Sequence, residues 1–426
     1  MNDDGDVRTP GPGLAESIVS RVRRSAPRSW LLRRTPPRAL LVNTPGGTEA
    51  RLAVECLVRE RGWRFAVSPA EANLLVVTGA AVDGFERYLD PVWRAIPAPR
   101  VRADVATAPD ALTELERAVG ELRDVRGQRA QARQAASAPE TDHDEPHDDS
   151  RTEHHNDHGG HGEHHGGHGH DMGGMEMPGG IPMAERAEDR DGLMLDQLHV
   201  PLGPVLTAWP AGLVLDTTMQ GDVLTEVGVR TVGLSEVPGN APWTRVWRRI
   251  SAGQNVPAAE PARQELARHL DACVSLLSVA GWEDAAGRAR LLRDNVLRET
   301  ARPDAARIRS WARRVRRSRT LRWLLSDVGA IAHDPGTPQA LTGDALSRLN
   351  RWLDTIGELS EHDEPCEPSP QDGEGRTAER EHETRWTLDA LPGLLCGSEL
   401  AIARLIVASL HLDLDLLPAA HGVSHG

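Results

Sequence analysis

The sequence predicts an α/β N-terminal domain, built on a small doubly wound sheet, and an α+β C-terminal domain, an antiparallel hairpin followed by a helical bundle. Three observations carry this expectation. Ala39-Leu40-Leu41-Val42 and Leu74-Leu75-Val76-Val77 are short continuous apolar runs, the pattern of parallel strands covered on both faces. Val223, Thr225, Val227 and Val229 alternate with Glu226 and Arg230, as in a half-buried antiparallel strand. From Glu260 onward, apolar residues recur at helical spacing. A histidine-rich stretch between the two domains has almost no side chains that could build a core, so it is expected to be a disordered linker.

Residues 1–37 are polar and rich in Pro and Arg, and are expected to form a loose tail. The α/β domain is placed at 38–135. Its first strand ends in a glycine-rich turn, Pro45-Gly46-Gly47-Thr48, and a helical stretch then runs to Arg61. Trp63–Val67 is a second strand candidate, and Leu74–Val77, closed by Thr78-Gly79, a third. Helices are expected at 82–95 and 109–134, with a short strand near 99–103 between them.

The linker is placed at 136–192. Ten of the eighteen histidines fall between His143 and His170, and Met172, Met175, Met177 and Met183 follow at once. Neutral imidazole suits nickel, copper and zinc, and thioethers favour Cu(I). His154-His155 and His164-His165, with His158, His161, His168 and His170 two to four residues away, allow many interchangeable sites on a glycine-rich chain. Asp157, Glu163 and Asp171 can add oxygens. Such sites suit storage or delivery of several ions; catalysis would need one fixed geometry. Binding is expected to weaken as pH falls through the imidazole pKa of about 6.5. The bland reading of the same residues is a solvated tether.

The α+β domain is placed at 193–426. Its hairpin spans 202–232: Leu213–Thr217 and Val223–Val232 flank the turn signal Gln220-Gly221-Asp222. Helices are expected over 259–420. Leu266, Leu270, Cys273 (or Val274) and Leu277 share one face, as do Ile308, Trp311 and Val315, and Leu346, Leu349 and Leu353. Residues 357–385 are acidic, with Pro and Gly, and are expected to interrupt the bundle as a loop before a final apolar helix over roughly 388–411.

The net charge of −14 is localised. Residues 139–191 carry about −12 and residues 357–386 about −7, which leaves the remainder at about +5. Every basic residue is arginine. The run Arg313, Arg314, Arg316, Arg317, Arg319, Arg322 is expected to be a solvated helix face, or else a docking surface for an acidic partner subunit or for the chain's own acidic loops. No helix-turn-helix pattern or stacking set of aromatics accompanies it, so nucleic-acid binding is not expected. Trp243, Trp247, Trp311, Trp323 and Trp352 are expected in the core, with some as anchors of a subunit interface. His269 and His411 are expected to be packed, and Cys273 and Cys396 to behave as small buried hydrophobes.

Cys56, Cys273, Cys366 and Cys396 are far apart and form no Cys-x-x-Cys pair, the spacing of zinc ribbons and many iron–sulfur sites. Their scarcity suits a reducing compartment, and cytoplasmic localisation is expected. The start, MNDDGDVRTPGPG, does not resemble a signal peptide. Leu388–Leu412 is the longest apolar run, but Asp389, Glu399 and Arg404 break it, so no membrane span is expected.

Over residues 39–105 the chain resembles the small iron–sulfur subunit shared by nickel–iron hydrogenases and respiratory complex I. The likeness rests on Leu41-Val42-Asn43 before the glycine turn, on Ser68-Pro69 through Thr78-Gly79, on Tyr88-Leu89, and on Ile96-Pro97-Ala98-Pro99. Leu202-Gly203-Pro204, then Ala208 to Leu215, then Gln220-Gly221-Asp222-Val223 resemble the opening hairpin of the large subunit of those complexes, the subunit that carries nickel or the quinone pocket.

The chain thus resembles both subunits fused, with the His tract as the join. The chemistry of the family does not carry over. Gly46-Gly47-Thr48-Glu49-Ala50 stands where that family places cluster cysteines, so no iron–sulfur cluster is expected. Val205-Leu206-Thr207 and Trp209-Pro210 stand where histidines would meet a quinone, and Tyr88 lies in the other domain.

The resemblance implies a non-catalytic structural or assembly subunit, a pseudoenzyme, of an NADH-quinone-oxidoreductase-like or hydrogenase-like membrane complex. It would sit peripherally on the inner face of the membrane through partner subunits. The alternative is a nickel-, copper- or zinc-handling protein acting through the His tract. A further alternative is a redox subunit whose clusters come from other chains.

Overall fold

The computed structural model describes residues 36–137, 186–188, 194–234, 241–298, 304–361 and 368–417. Within them lie a parallel four-stranded sheet with helices and a separate antiparallel sheet with helices.

In the first module the strand order is β2-β1-β3-β4 and all neighbours are parallel; β1 is Arg38–Asn43, β2 Arg64–Phe65, β3 Leu74–Thr78 and β4 Val101–Val105. The apolar run of β3 is explained by its position, because every residue in it is buried. Leu74 and Val76 pack with helix α1 (Thr48–Glu60) and α3 (Ala111–Arg123) on one face. Leu75 and Val77 pack with Phe85 and with Leu89 of α2 (Glu86–Ala95) on the other. Period-2 side chains thus serve two layers. The stretch read as one helix over 109–134 divides at Asp124 into α3 and α4 (Val125–Ser137). Gly47 is required where β1 turns into α1, since a Cβ there would overlap the Thr78 carbonyl oxygen.

The second module begins with a sheet of order β5-β6-β7-β8: Arg186–Glu188, Met194–Leu202, Leu213–Gln220 and Val223–Thr231. Two strands more than the expected hairpin are present. Strand β6 escapes an apolar-pattern reading because most of it is exposed and it contains Pro201. Strand β5 falls inside the span read as linker.

The helices are α5 (Pro242–Ser251), α6 (Ala259–Val279), α7 (Glu283–Arg298), α8 (Ala305–Arg316), α9 (Arg319–Leu325), α10 (Ala345–Glu361), α11 (Pro370–Leu395) and α12 (Leu400–Leu410). Helix α6 is central, and Leu266, Leu270, Cys273 and Leu277 are all inaccessible to solvent. Burying one leucine is worth about 2 kcal/mol, so this stripe is one of the anchors of the module's core.

Three expectations are corrected. Residues 357–361 and 370–385, expected as parts of a loop, are helical: α10 continues to Glu361, and α11 begins at Pro370. The start of α11 is held by a capping box in which the Ser369 hydroxyl accepts from the Asp372 N–H and the Asp372 carboxylate accepts from the Ser369 N–H. Arg380, Thr384, Thr387 and Leu391 line its buried face. The expected final helix is two helices, parted at Gly397, whose φ of +83° suits glycine. That break docks on the hairpin: Gly397 N–H donates to the Leu224 carbonyl at 2.7 Å, and Leu400 N–H to that of Asp222 at 2.7 Å. Finally, Cys396 and Trp323 are exposed.

Buried Arg348 of α10 pins the segment after α9. It donates to the carbonyls of Leu341 at 3.1 Å, Gly343 at 2.7 Å and Gly329 at 3.0 Å, and to the Ser409 hydroxyl. With neutral acceptors only, burial followed by repulsion from Arg351 lowers its pKa to about 10.

Candidate functional site

Helix α1 has two stripes. Ala50, Val54 and Val58 face the parallel sheet. Arg51, Glu55 and Arg59, spaced i, i+4 and i+8, form a charged row that elsewhere would lie in water. Here α6 and α7 cover it and answer it with Asp271, Arg293 and Asp294, all of them buried.

The pairing is dense. Arg51 forks onto Asp271, Nη2 to Oδ2 at 2.8 Å and Nη1 to Oδ1 at 3.2 Å, and its Nη1 also donates to Glu55 at 2.9 Å. Arg293, with 0 % of its surface exposed, reaches Asp271 at 2.6 Å, Glu55 at 2.7 Å and Asp294 at 2.8 Å. Arg59 donates to Asp294 at 3.0 Å and to the Cys56 sulfur at 3.2 Å.

Burial alone would raise the pKa of Glu55 and Asp271. The arginines override it and hold both below the usual carboxylate range. Burial would likewise lower Arg293, but Glu55, Asp271 and Asp294 raise it. Glu55, Asp271 and Arg293 therefore stay charged at neutral pH. Three carboxylates and three guanidinium groups hold the two modules together, and Arg298–Glu60 (2.5 Å) and Arg245–Glu49 (2.8 Å) flank them at the surface.

A second charged group continues the seam. Glu265 of α6 accepts from Arg380 of α11 and from Arg268 at 3.3 Å, and lies 3.2 Å from the His269 ring. Burial works against its charge, but Arg380 and Arg268 hold its pKa well below normal. His411 follows α12 in a left-handed conformation and meets Arg268 at 3.1 Å through Nδ1. Burial, then the Arg268 charge, lowers His411 to about 3, so its imidazole is neutral and Nδ1 is the acceptor. His269 is lowered too, first by burial. Both histidines are packed, as expected.

The seam ends at the glycine turn. Asp415 accepts from the Gly46 N–H at 2.7 Å, bringing the last described segment of the chain onto the loop after β1. Asp413 sits beside it, accepting from the Asp415 N–H at 3.2 Å. Burial and then the neighbouring Asp413 raise Asp415 to about 7, against the Gly46 N–H, which lowers it. The Asp413–Asp415 pair therefore holds a proton close to neutral pH.

The two sheets also meet. Val214 and Val232 pack with Leu40, Val42, Leu75 and Val77. A Cβ at Gly233 would overlap Val82, so the modules approach to glycine distance. Tyr88 accepts from Arg230 of β8 at 2.7 Å, which joins the modules despite its place in the first. In the loop ahead of β7, the Trp209 indole donates to the Leu213 carbonyl at 2.8 Å and packs on the helical core.

The cysteines are placed apart. Cys56 is buried on α1, Cys273 lies in the core of the helical module, and the exposed Cys396 donates to the Thr225 carbonyl at 3.0 Å. Among the described residues, no group of three or more His, Cys, Asp or Glu side chains is arranged to share a metal ion. His154, His155, His158, His161, His164, His165, His168 and His170 lie outside the described residues, as does the tail. No described helix is long and apolar enough to cross a membrane.

The buried charges went unread in the sequence because a charged row at i, i+4, i+8 is the usual mark of a solvated face. One signal was available: Asp271 interrupts the apolar stretch from Leu270 to Leu277. No protein-family model matches the chain, and no curated protein matches it.

Proposed function

We propose that the chain is a non-catalytic structural or assembly subunit of a complex-I-like or hydrogenase-like membrane oxidoreductase, with the small-subunit and large-subunit scaffolds held as one piece. The observation that carries this reading is the charge seam. Arg51–Asp271, Arg59–Asp294 and Arg293–Glu55 cross the module boundary, and Arg293 ties them together through Asp271. The Gly46 turn, which in the resembled family leads into a cluster site, is taken up by Asp415. Trp209 closes the hairpin loop in place of a quinone-facing histidine. The order of modules, parallel sheet first and then antiparallel sheet with helices, agrees with the resemblance.

The test is purification of the tagged chain from its native host, with the proteins that accompany it identified. The reading expects antiporter-like or quinone-reducing membrane subunits in fixed stoichiometry. Recovery of the chain alone, from gently solubilised membranes and soluble extract alike, would contradict it.

A second reading rests on the His tract. Ten histidines within His143 to His170 give it the donors to store or deliver nickel, copper or zinc. Calorimetric titration at neutral pH is expected to show several micromolar-class sites that a tract-deleted variant lacks. Equal metal binding by the two proteins would end this reading.

A further inference from the structure

The corner between α8 and α9 is the most basic surface described. Residues 305–326 contain eight arginines and no acidic residue. Four of the arginines are answered: Arg307 by Asp304, Arg309 by Glu361, Arg314 by Asp284 and Arg316 by Asp354. Among the described residues, no carboxylate pairs with Arg313, Arg317, Arg319 or Arg322, and all four are exposed. Arg313 and Arg317 are one helical turn apart, and Arg319, Arg322 and Trp323 share a face at spacing i, i+3, i+4. Trp323 is 80 % exposed, the most exposed of the large apolar side chains among the described residues.

We propose that this corner adsorbs directly to an anionic lipid surface, the guanidinium groups meeting lipid phosphates and the Trp323 indole seated among the headgroups. Guanidinium is a planar fork that matches phosphate oxygens. Indole favours the membrane–water interface, where its ring lies in an apolar setting and its N–H stays wet. The patch offers one large apolar side chain and no apolar surround. That is too little for the desolvated core of a protein interface, but sufficient for a shallow anchor on a basic surface. The acidic net charge of the chain does not oppose this, because screening over about 8 Å at physiological ionic strength confines the attraction to charges near the bilayer. The inference goes beyond the scaffold reading and stands without it: a scaffold subunit could reach the membrane through partners alone.

The test is co-sedimentation of the full-length chain with vesicles of phosphatidylcholine, with and without about one-third phosphatidylglycerol. Binding is expected only to the anionic vesicles at low salt, with release in high salt. Replacing Arg313, Arg317, Arg319 and Arg322 together by Gln is expected to weaken partitioning by more than about tenfold, and Trp323→Ala by a few-fold. Brominated lipid is expected to quench the wild-type chain more than Trp323→Phe. All five positions are exposed, so unchanged melting of the variants confirms that they fold. Equal binding by the wild type and the four-Gln variant would overturn the proposal. So would absence of binding to anionic vesicles at low salt. Binding of soluble polyglutamate without vesicle binding would also overturn it, and would make the corner a docking face for an acidic protein.

Discussion

Arg51 on the first helix and Asp271, 220 residues further along the chain, form a forked ion pair of 2.8 and 3.2 Å. A contact of this reach joins the parallel sheet module to the helical module, and Arg293 closes it from the other side at 2.6 Å. Desolvating so many charges is costly, and their mutual attraction offsets that cost only while every partner is present.

Arg293→Met removes the centre of the seam and leaves Glu55, Asp271 and Asp294 with fewer cations than they need. The expected loss is about 3–5 kcal/mol. It should appear in chemical denaturation as two transitions where the wild type shows one, because the modules then unfold separately. Arg293→Lys keeps the charge and loses the fork, so a smaller loss is expected. A Met variant as stable and as cooperative as the wild type would refute the role given to the seam.

Asp415 makes the junction pH-sensitive. Its pKa is about 7 in the folded chain against an ordinary 3.8. Between those values the folded chain keeps a proton that the unfolded chain has released, so this group's contribution to stability falls as pH rises through the window. The slope is about 1.4 kcal/mol per pH unit inside the window. Asp415→Asn keeps an acceptor for the Gly46 N–H and cannot ionise. It should flatten that part of the stability profile between about pH 4 and 7, measured by melting in a pH series.

Gly47 is expected to tolerate no side chain. Gly47→Ala would press a methyl group on the Thr78 carbonyl oxygen, which accepts from the Thr44 N–H, and on Asn43 Oδ1, which accepts from the Thr78 hydroxyl. A cost of about 2 kcal/mol is expected from the forced backbone shift. The loss should be read as a lower denaturation midpoint with an unchanged slope.

Thiol labelling separates the cysteines. In a Cys366→Ser background, Cys396 should react at once with a thiol reagent. Cys273, whose pKa burial raises, should react only on unfolding.

The sequence was most informative where one environment governs a whole stretch. Leu74–Val77 could only be a strand buried on both faces, and Leu266, Leu270, Cys273 and Leu277 could only be a helix face turned inward. It misled where composition and position disagree. Residues 370–385 are acidic and contain glycine, yet Ser369, Pro370 and Asp372 are a helix-start signature that composition concealed. Trp243, Val246, Trp247 and Ile250 likewise mark α5 at i, i+3, i+4 and i+7. The seam was the least legible feature. Glu55 and Arg293 are residue types that normally face water, and only the partner helix, more than two hundred residues away, shows that they do not.

The proposed function requires that these two modules grip no redox centre of their own. The most direct measurement is the visible absorbance and low-temperature paramagnetic resonance of the isolated, anaerobically purified chain. A featureless spectrum, before and after reduction, is the result expected. Iron–sulfur absorbance that bleaches on reduction, with matching iron and acid-labile sulfide in the same polypeptide, would contradict it.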